Sequence, residues 1–182
     1  MLYASTAAIT GDAWIAEPDP TAAGGSRLRN PDAAVPKVNT ALANPASYVE
    51  LTFVGEANVG YRLWMRQLAQ NDYWGNDSVH VQFSDSVSAA GTPAYRIGTA
   101  EAASVNLEDC SGCGVAGWGW QDNGYGPEVA PLVYFATSGP QTLRIQARED
   151  GVAIDQIVLS PSTYLNARPG ALKHDGTILM QP

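Results

Sequence analysis

Short segments of alternating apolar and polar residues, separated by glycine and proline turns, most constrain the fold of this chain. In 61–66, Tyr61, Leu63 and Met65 fall on one face of a strand, and 48–54 alternates in the same way. Similar segments lie at 2–9, 78–84, 95–98, 104–107, 132–136, 142–148 and 153–160. No segment has a convincing helical period. This many short strands without intervening helices predicts an all-β sandwich or barrel.

The length of the chain is suited to one domain. With 182 residues, 45% of them hydrophobic, it can bury a full core. We predict a β-sandwich over 1–161 and a polar tail over 162–182 that wraps the surface or leads into a linker. Residues 10–47 are rich in Pro, Gly, Ala and Asn and are predicted to be irregular. An irregular segment of that length is more often functional than idle.

Charge excludes two classes of partner. The chain has 18 acidic against 10 basic residues and a net charge of −8, which argues against nucleic acid or an anionic membrane as a partner. No run approaches the ~20 apolar residues that span a bilayer. The N-terminus has neither the basic nor the long apolar region of a signal peptide. We interpret Met1 as a start placed on a module from a longer, bacterial-looking protein.

Two cysteines form a Cys-x-x-Cys motif, Cys110 and Cys113. Such a motif can be half a zinc site, a redox pair or a local disulfide. There is no second such motif, and neither His80 nor His174 has metal-ligand spacing to it. We therefore predict a local disulfide, which would rigidify its loop and place the chain in an extracellular or secreted setting.

The segment 117–126 combines aromatic and hydrogen-bonding side chains in a glycine-rich loop. It contains Trp118, Trp120, Asp122, Asn123 and Tyr125 among four glycines. A flat aromatic face beside amide and carboxylate groups suits a pyranose ring, which offers a C–H face and directed hydroxyls. The alternative is that Trp118 and Trp120 close the end of the β-sandwich core.

The order of features resembles the jelly-roll carbohydrate-binding modules of the galactose-binding-like superfamily, especially families 6 and 35. The segments that carry the resemblance are 3–14, 48–53, 61–66, 76–82, 141–151 and 152–159. The most specific of them is the closing hairpin, which ends in Ile154-Asp155-Gln156-Ile157-Val158-Leu159. The resemblance implies a β-sandwich jelly roll without catalytic activity that holds a polysaccharide or oligosaccharide near an attached catalytic or surface domain.

In such modules the sugar site lies in loops at one end of the sandwich, so the resemblance brings 71–77 and 117–126 together. The side chains predicted to stack on sugar rings are Trp74, Trp120 and Tyr125, and those predicted to bind hydroxyls are Asn76, Asp122 and Asn123. Asp77 and Trp118 belong to the same candidate site. Asp150 joins it, with Glu149 as the other candidate, because Ala153 stands where a sugar-binding Asn is usual. Trp14 and Trp64 are assigned to the core or to packing beneath a loop.

The resemblance also implies a structural calcium ion between the first and last strands. Asp155 matches the ligand in the last strand, but 3–9 contains no Asp or Glu. Backbone carbonyls would have to complete the ~6–8 oxygens that calcium requires. The alternative is that Asp155 caps a turn or pairs with an arginine.

Catalysis is not expected. Glycoside hydrolysis needs two carboxylates that face each other across a cleft, whereas Glu149 and Asp150 are adjacent and point to opposite faces in a strand. Arg66 and Arg148 could bind a uronate or pair with acidic residues along a strand. We predict carbohydrate binding. The alternative is an extracellular protein-interaction or adhesion domain, in which the Trp residues lie at an interface.

Overall fold

The computed structural model describes residues 1–126 and 128–180, and these residues form a β-sandwich. The strands are β1 Leu2–Tyr3, β2 Ala8–Thr10, β3 Ile15–Pro18, β4 Ser26–Arg29, β5 Tyr48–Gly55, β6 Arg62–Ala69, β7 Ser78–Phe83, β8 Ser86–Val87, β9 Ala103–Asn106, β10 Gly119–Gln121, β11 Tyr134–Phe135, β12 Gly139–Ala147 and β13 Val152–Ser160. Short 3-10 helices lie at Ala4–Thr6, Ala23–Gly25, Gln70–Asp72 and Trp74–Asn76. No helix in these ranges has the length and apolar character needed to cross a membrane.

Two antiparallel sheets face each other. The six-stranded sheet has the order β10-β6-β13-β4-β3, with β1 also paired to β13, and the five-stranded sheet has the order β2-β5-β12-β7-β9. A small third sheet pairs β8 with β11. The all-β sandwich jelly roll predicted from the alternation and the resemblance is confirmed.

The main core lies between the two large sheets. Leu63 and Met65 of β6 face Val79 and Val81 of β7 and Ile145 of β12 across it, and all five side chains are fully buried. The face that Tyr61, Leu63 and Met65 share is therefore the one that points into this core. Trp14 is buried in the same core.

The first predicted strand, 2–9, is interrupted. Ala4–Thr6 forms a 3-10 turn between β1, which pairs with β13, and β2, which pairs with β5. The chain thus crosses from one sheet to the other within nine residues. A sequence pattern cannot locate this crossing, because both halves keep an extended backbone.

The prediction that 10–47 is irregular is wrong for two short stretches. Here β3 and β4 form an antiparallel hairpin at the edge of the six-stranded sheet. Glu17 accepts hydrogen bonds from both Arg27 and Arg29 across this hairpin. Only Leu28 of β4 is fully buried, so the hairpin lacks the apolar alternation of an inner strand. The predicted strand 95–98, by contrast, makes only an isolated bridge between Arg96 and Phe83.

The tail lies across the outer face of the six-stranded sheet through residue 180. Its partly buried Tyr164 and Leu179 pack against the buried Trp64, Trp120 and Val158 of the sheet. Its backbone carbonyls accept side-chain hydrogen bonds from the sheet: Trp64 Nε1 to Tyr164 O (2.7 Å), Arg62 Nε to Leu165 O (2.9 Å), Arg66 Nη2 to Asp175 O (2.7 Å) and Trp120 Nε1 to Thr177 O (3.3 Å). These residues of the tail pack as part of the sandwich.

Candidate functional site

Five segments of chain meet in a cleft of about 460 Å³ at the end of the sandwich where β7 begins and β12 ends. They are the connections β4–β5, β6–β7 and β10–β11, the end of β9 and the turn after β12. The lining residues are Lys37, Trp74, Ser104, Asn106, Glu108, Asn123, Gly124, Tyr125, Arg148 and Glu149. The volume is in the range of small-ligand sites.

Solvent-exposed aromatic rings are concentrated at this end. Among the described residues the most exposed aromatic side chains are Trp74 and Tyr125, each 58% exposed, and Tyr73, 49% exposed. Trp74 and Tyr125 line the cleft, and the ring centroids of Tyr73 and Trp74 are 5.3 Å apart. The structure thus places both aromatic loops at one cleft. The loop 71–77 contributes Trp74 to its lining, and the loop 117–126 contributes Tyr125.

The loop that carries Trp74 is held from beneath by Asn76. The Asn76 amide, 3% exposed, donates hydrogen bonds to Asp32 Oδ2 (3.0 Å) and to the backbone oxygen of Gln70 (3.1 Å). Gly151, at φ +84°, lies against it, and a Cβ there would come within 2.4 Å of Asn76 Cγ. Asn76 therefore shapes the loop.

The loop that carries Tyr125 is held by Asp122. The Asp122 carboxylate, 3% exposed, accepts hydrogen bonds from the backbone N–H groups of Gly124 (2.8 Å) and Ala130 (2.7 Å), and it lies 3.7 Å from Arg62 Nη1. Its capacity for sugar hydroxyls is thus largely taken by the loop itself. Asn123, the next residue, lines the cleft, and its buried Oδ1 has no hydrogen-bond partner among the described residues.

The segment 31–38 forms another wall of the site. Asp150 Oδ2 accepts hydrogen bonds from the backbone N–H groups of Ala33 (2.6 Å) and Val35 (2.9 Å). His80 Nε2 donates to the backbone oxygen of Val38 (2.8 Å). These bonds fix the position of Lys37 between them, so Asp150 acts here as a structural anchor.

Charged groups form the floor of the cleft. Lys37 Nζ lies 2.6 Å from Glu149 Oε1, and Ser78 Oγ donates to Glu149 Oε2 (2.5 Å). Arg148 Nη1 donates to the same Ser78 oxygen (2.8 Å). Burial opposes the ionisation of Glu149, but the hydrogen bonds from Lys37 and Ser78 outweigh it and lower the pKa of Glu149.

Asp77 lies beneath this floor and is fully buried. Its Oδ2 accepts a hydrogen bond from the backbone N–H of Glu108 (2.6 Å), and the Asn106 amide donates to it in the orientation that pairs donor with acceptor. Burial, with the neighbouring Glu149 carboxylate, raises the pKa of Asp77 to about 8. Asp77 therefore keeps a proton at neutral pH.

Trp118 and Trp120 require a correction. Trp120 is fully buried against Trp64 and Val158 under the tail, and Trp118 is 6% exposed. The Arg66 guanidinium lies over the Trp118 ring, 4.7 Å from its centroid. Alternate residues of a strand project to opposite faces, so Trp118 and Trp120, which are separated by Gly119, point to the same face. That face is the covered outer side of the six-stranded sheet. Neither offers a face to a ligand. The alternative interpretation is right about their burial, but they lie on the outer face of the sheet and not at the end of the sandwich core.

The surroundings of Asp155 do not fit a calcium ion. Asp155 is fully buried, pairs with Arg66 Nη1 and accepts a hydrogen bond from the backbone N–H of Ala23 (2.8 Å). The guanidinium supplies the positive charge that a cation would supply. In the described residues no group of three or more His, Cys, Asp or Glu side chains could hold a metal ion. The arginine pair weighed as the alternative is the one observed.

Sequence reasoning missed several lining residues. Lys37 lies in the segment predicted to be irregular, and Ser104 and Asn106 are polar positions of β9. One available signal was the scarcity of lysine, since Lys37 and Lys173 are the only two. Cys110 and Cys113 form the predicted disulfide.

Comparison with known proteins gives a similarity of structure only. No family model matches the chain. No curated protein matches it either. Two similar solved structures are the carbohydrate-binding module CBM36 in complex with calcium and xylotriose (TM-score 0.48, 16% identity, 87% of this chain and 98% of that chain) and a family 35 carbohydrate-binding module from Clostridium thermocellum (TM-score 0.45, 13% identity, 87% and 96%). Both of these proteins are carbohydrate-binding modules.

Proposed function

We propose that this chain is a non-catalytic module that binds a polysaccharide or oligosaccharide in the cleft between Trp74 and Tyr125. The observation that carries the proposal is the placement of the most exposed aromatic rings at one concave site with a polar floor. Aromatic faces stack on the C–H faces of sugar rings, and polar groups beneath them select hydroxyls. An interface for a protein partner would instead favour a flat apolar patch.

The balance of charge favours a neutral saccharide. Lys37 and Arg148 line the cleft together with Glu108 and Glu149, so two cations accompany two carboxylates. Lys37 forms a salt bridge with Glu149, and Arg148 donates a hydrogen bond to Ser78. A uronate would have to compete with these contacts. Asn123, Asn106 and Ser104 then offer neutral groups for hydroxyls.

A hydrolytic function has less support. Glycosidases place two carboxylates on either side of the scissile bond. Here Asp77 is fully buried beneath the floor, and Glu149 is 4% exposed and bonded to Lys37 and Ser78. Neither is free to face the other across a bound sugar. We therefore propose binding without chemistry.

An extracellular setting and attachment to a longer chain belong to the same proposal. The Cys110–Cys113 disulfide supports an oxidising compartment. Calcium at Asp155 is left out of the proposal, because Arg66 already neutralises that carboxylate.

The test is affinity electrophoresis against a panel of neutral and uronic-acid polysaccharides, with the wild type and Trp74→Ala. Loss of the exposed indole should reduce affinity at least tenfold, about 1.4 kcal/mol, and leave the melting temperature unchanged. Val54→Ala is the matched control, since Val54 is 75% exposed at the opposite end of the β5–β12 ladder. If no polysaccharide is retained, or if Trp74→Ala binds as the wild type does, the protein-interaction alternative is favoured.

A further inference from the structure

We propose that the saccharide site continues past Trp74 into a second cavity, so that consecutive sugar units bind on both sides of this ring. This inference rests on the proposed function. It defines the ligand as a stretch of at least two linked units, whereas a module that holds a single terminal sugar needs one pocket only.

A second cavity of about 360 Å³ adjoins the cleft. Trp74, Lys37 and Glu149 line both spaces and therefore lie at the border between them. The indole is 58% exposed, so a saccharide on the surface can contact it at this border. A chain that leaves the first cavity over Trp74 enters the second.

Aromatic rings follow the same line. Tyr125 borders only the first cavity, Trp74 borders both, and Tyr73 borders only the second. The Tyr73 and Trp74 rings are tilted by 51°, with centroids 5.3 Å apart, so they present differently directed surfaces. Each ring can contact a different unit of a chain, and each contact is of the kind that stacks on a sugar face.

The second cavity also has polar groups for hydroxyls. Its lining includes Asp32, Asn76 and Asp150. In both carboxylates the hydrogen bonds to other described residues are made by Oδ2. The Oδ1 atoms of Asp32 and Asp150 can therefore accept from hydroxyl groups without breaking the bonds that hold the wall in place.

Gly75 permits this arrangement. A Cβ on Gly75 would come within 2.6 Å of the Tyr73 ring, so the ring rests directly on the Gly75 backbone. Gly75→Ala should displace the Tyr73 ring and leave Tyr125 in place. It therefore perturbs the second cavity without removing an aromatic side chain.

Calorimetric titration with oligosaccharides of one to six units tests the inference. The probes are the xylo-, cello- or galacto-oligosaccharides that correspond to the polysaccharide retained in the panel. We expect affinity to rise at least tenfold between one unit and three. Tyr73→Ala and Gly75→Ala should remove most of this gain and leave monosaccharide affinity within about twofold, whereas Tyr125→Ala should weaken binding at every length.

The outcomes separate the inference from the proposed function. Affinity that is the same from one unit to six, or an equal loss at all lengths in Tyr73→Ala, overturns the second subsite but leaves the cleft as a saccharide site. An unchanged length series in Tyr73→Ala and Gly75→Ala also overturns it. If no oligosaccharide binds, or if Trp74→Ala has no effect on binding, the proposed function fails and the inference fails with it.

Discussion

At the scale of single residues, Arg66 explains how an acidic side chain stays buried in the last strand. Arg66 and Asp155 are 1% and 0% exposed, and the guanidinium also donates to the backbone oxygen of Asp175 (2.7 Å). Burial raises the pKa of Asp155, and the Ala23 N–H and the Arg66 charge act against that rise. Arginine suits this position because its planar donors can bind a carboxylate and a carbonyl together.

This pairing predicts that stability depends on Arg66 and is independent of calcium. Asp155→Ala leaves a buried guanidinium without its counter-charge and should lower the free energy of unfolding by about 3–5 kcal/mol. Glu50→Ala, at the more exposed Arg144 pair, is the control and should change it by no more than about 1 kcal/mol. Urea denaturation measures both.

The independence from calcium is tested by measuring the melting temperature of the same protein, first with excess EDTA and then with calcium. A cation that binds only the folded state raises its stability, so a calcium site would appear as a higher melting temperature. We expect no shift under either condition. A rise in melting temperature with calcium would contradict the ion-pair interpretation.

At the scale of elements, the start of β7 and the turn after β12 bring two acidic side chains, Asp77 and Glu149, together beneath the cleft, where they hold a proton. Asp77 precedes Ser78, the first residue of β7, and Glu149 follows the end of β12. The charged groups around Asp77 are Glu149 and Glu108, and Lys37 and Arg148 flank Glu149. Glu149 holds the negative charge because the Lys37 ammonium and the Ser78 hydroxyl contact Glu149 and not Asp77.

The pair predicts that stability falls as the pH rises. The pKa of Asp77 is about 8 in the folded state, against 3.8 as the ordinary value. The folded state therefore binds more protons between these values, and the free energy of unfolding decreases with pH across that window. The lowered pKa of Glu149 has the opposite effect on stability, because the folded state then binds fewer protons at this group. This effect is confined to pH values near and below 4.5, the ordinary pKa of the group.

Denaturation at pH 5.5 and at pH 8.5 checks this expectation. The wild type should lose about 3 kcal/mol more than Asp77→Asn between these two conditions, because the amide resembles the protonated acid and does not titrate. An equal loss in both proteins would show that Asp77 is ionised in the folded state throughout.

At the scale of the whole molecule, the tail completes the sandwich. Residues 164–179 cover the outer face of the six-stranded sheet, where Trp64 and Trp120 are buried. Their indole N–H groups donate to tail carbonyls. Gly119 allows a close approach, since a Cβ there would overlap the backbone oxygen of Leu172.

A chain that ends at residue 161 should therefore be much less stable. Uncovering two large apolar side chains should remove about 4 kcal/mol or more, at roughly 2–3 kcal/mol each, and would expose Arg66 and Asp155 to water. We expect a lower urea midpoint, and self-association in size-exclusion chromatography. A truncated chain with the midpoint of the full chain would show that the sandwich ends at 161, as the sequence predicts.

Most of the strands could be predicted from the sequence, because inner strands such as β5, β7, β12 and β13 alternate or run apolar over many residues. The edge hairpin of β3 and β4 could not, since it buries little and is held by Glu17, Arg27 and Arg29. In the site, Trp74, Asn123 and Tyr125 were predicted and line the cleft. Lys37 and Asn106 were missed, because they come from segments that are distant in sequence.

The sequence by itself determined the period of the strands, the places of the turns and the local chemistry of two aromatic loops, since each depends on residues a few positions apart. Tertiary structure alone decided which tryptophan meets solvent. Trp74 and Trp120 both lie near glycines and acidic or amide residues, yet the tail covers one and leaves the other at the cleft. Burial is set by contacts between segments that are remote along the chain, and no local pattern records those contacts.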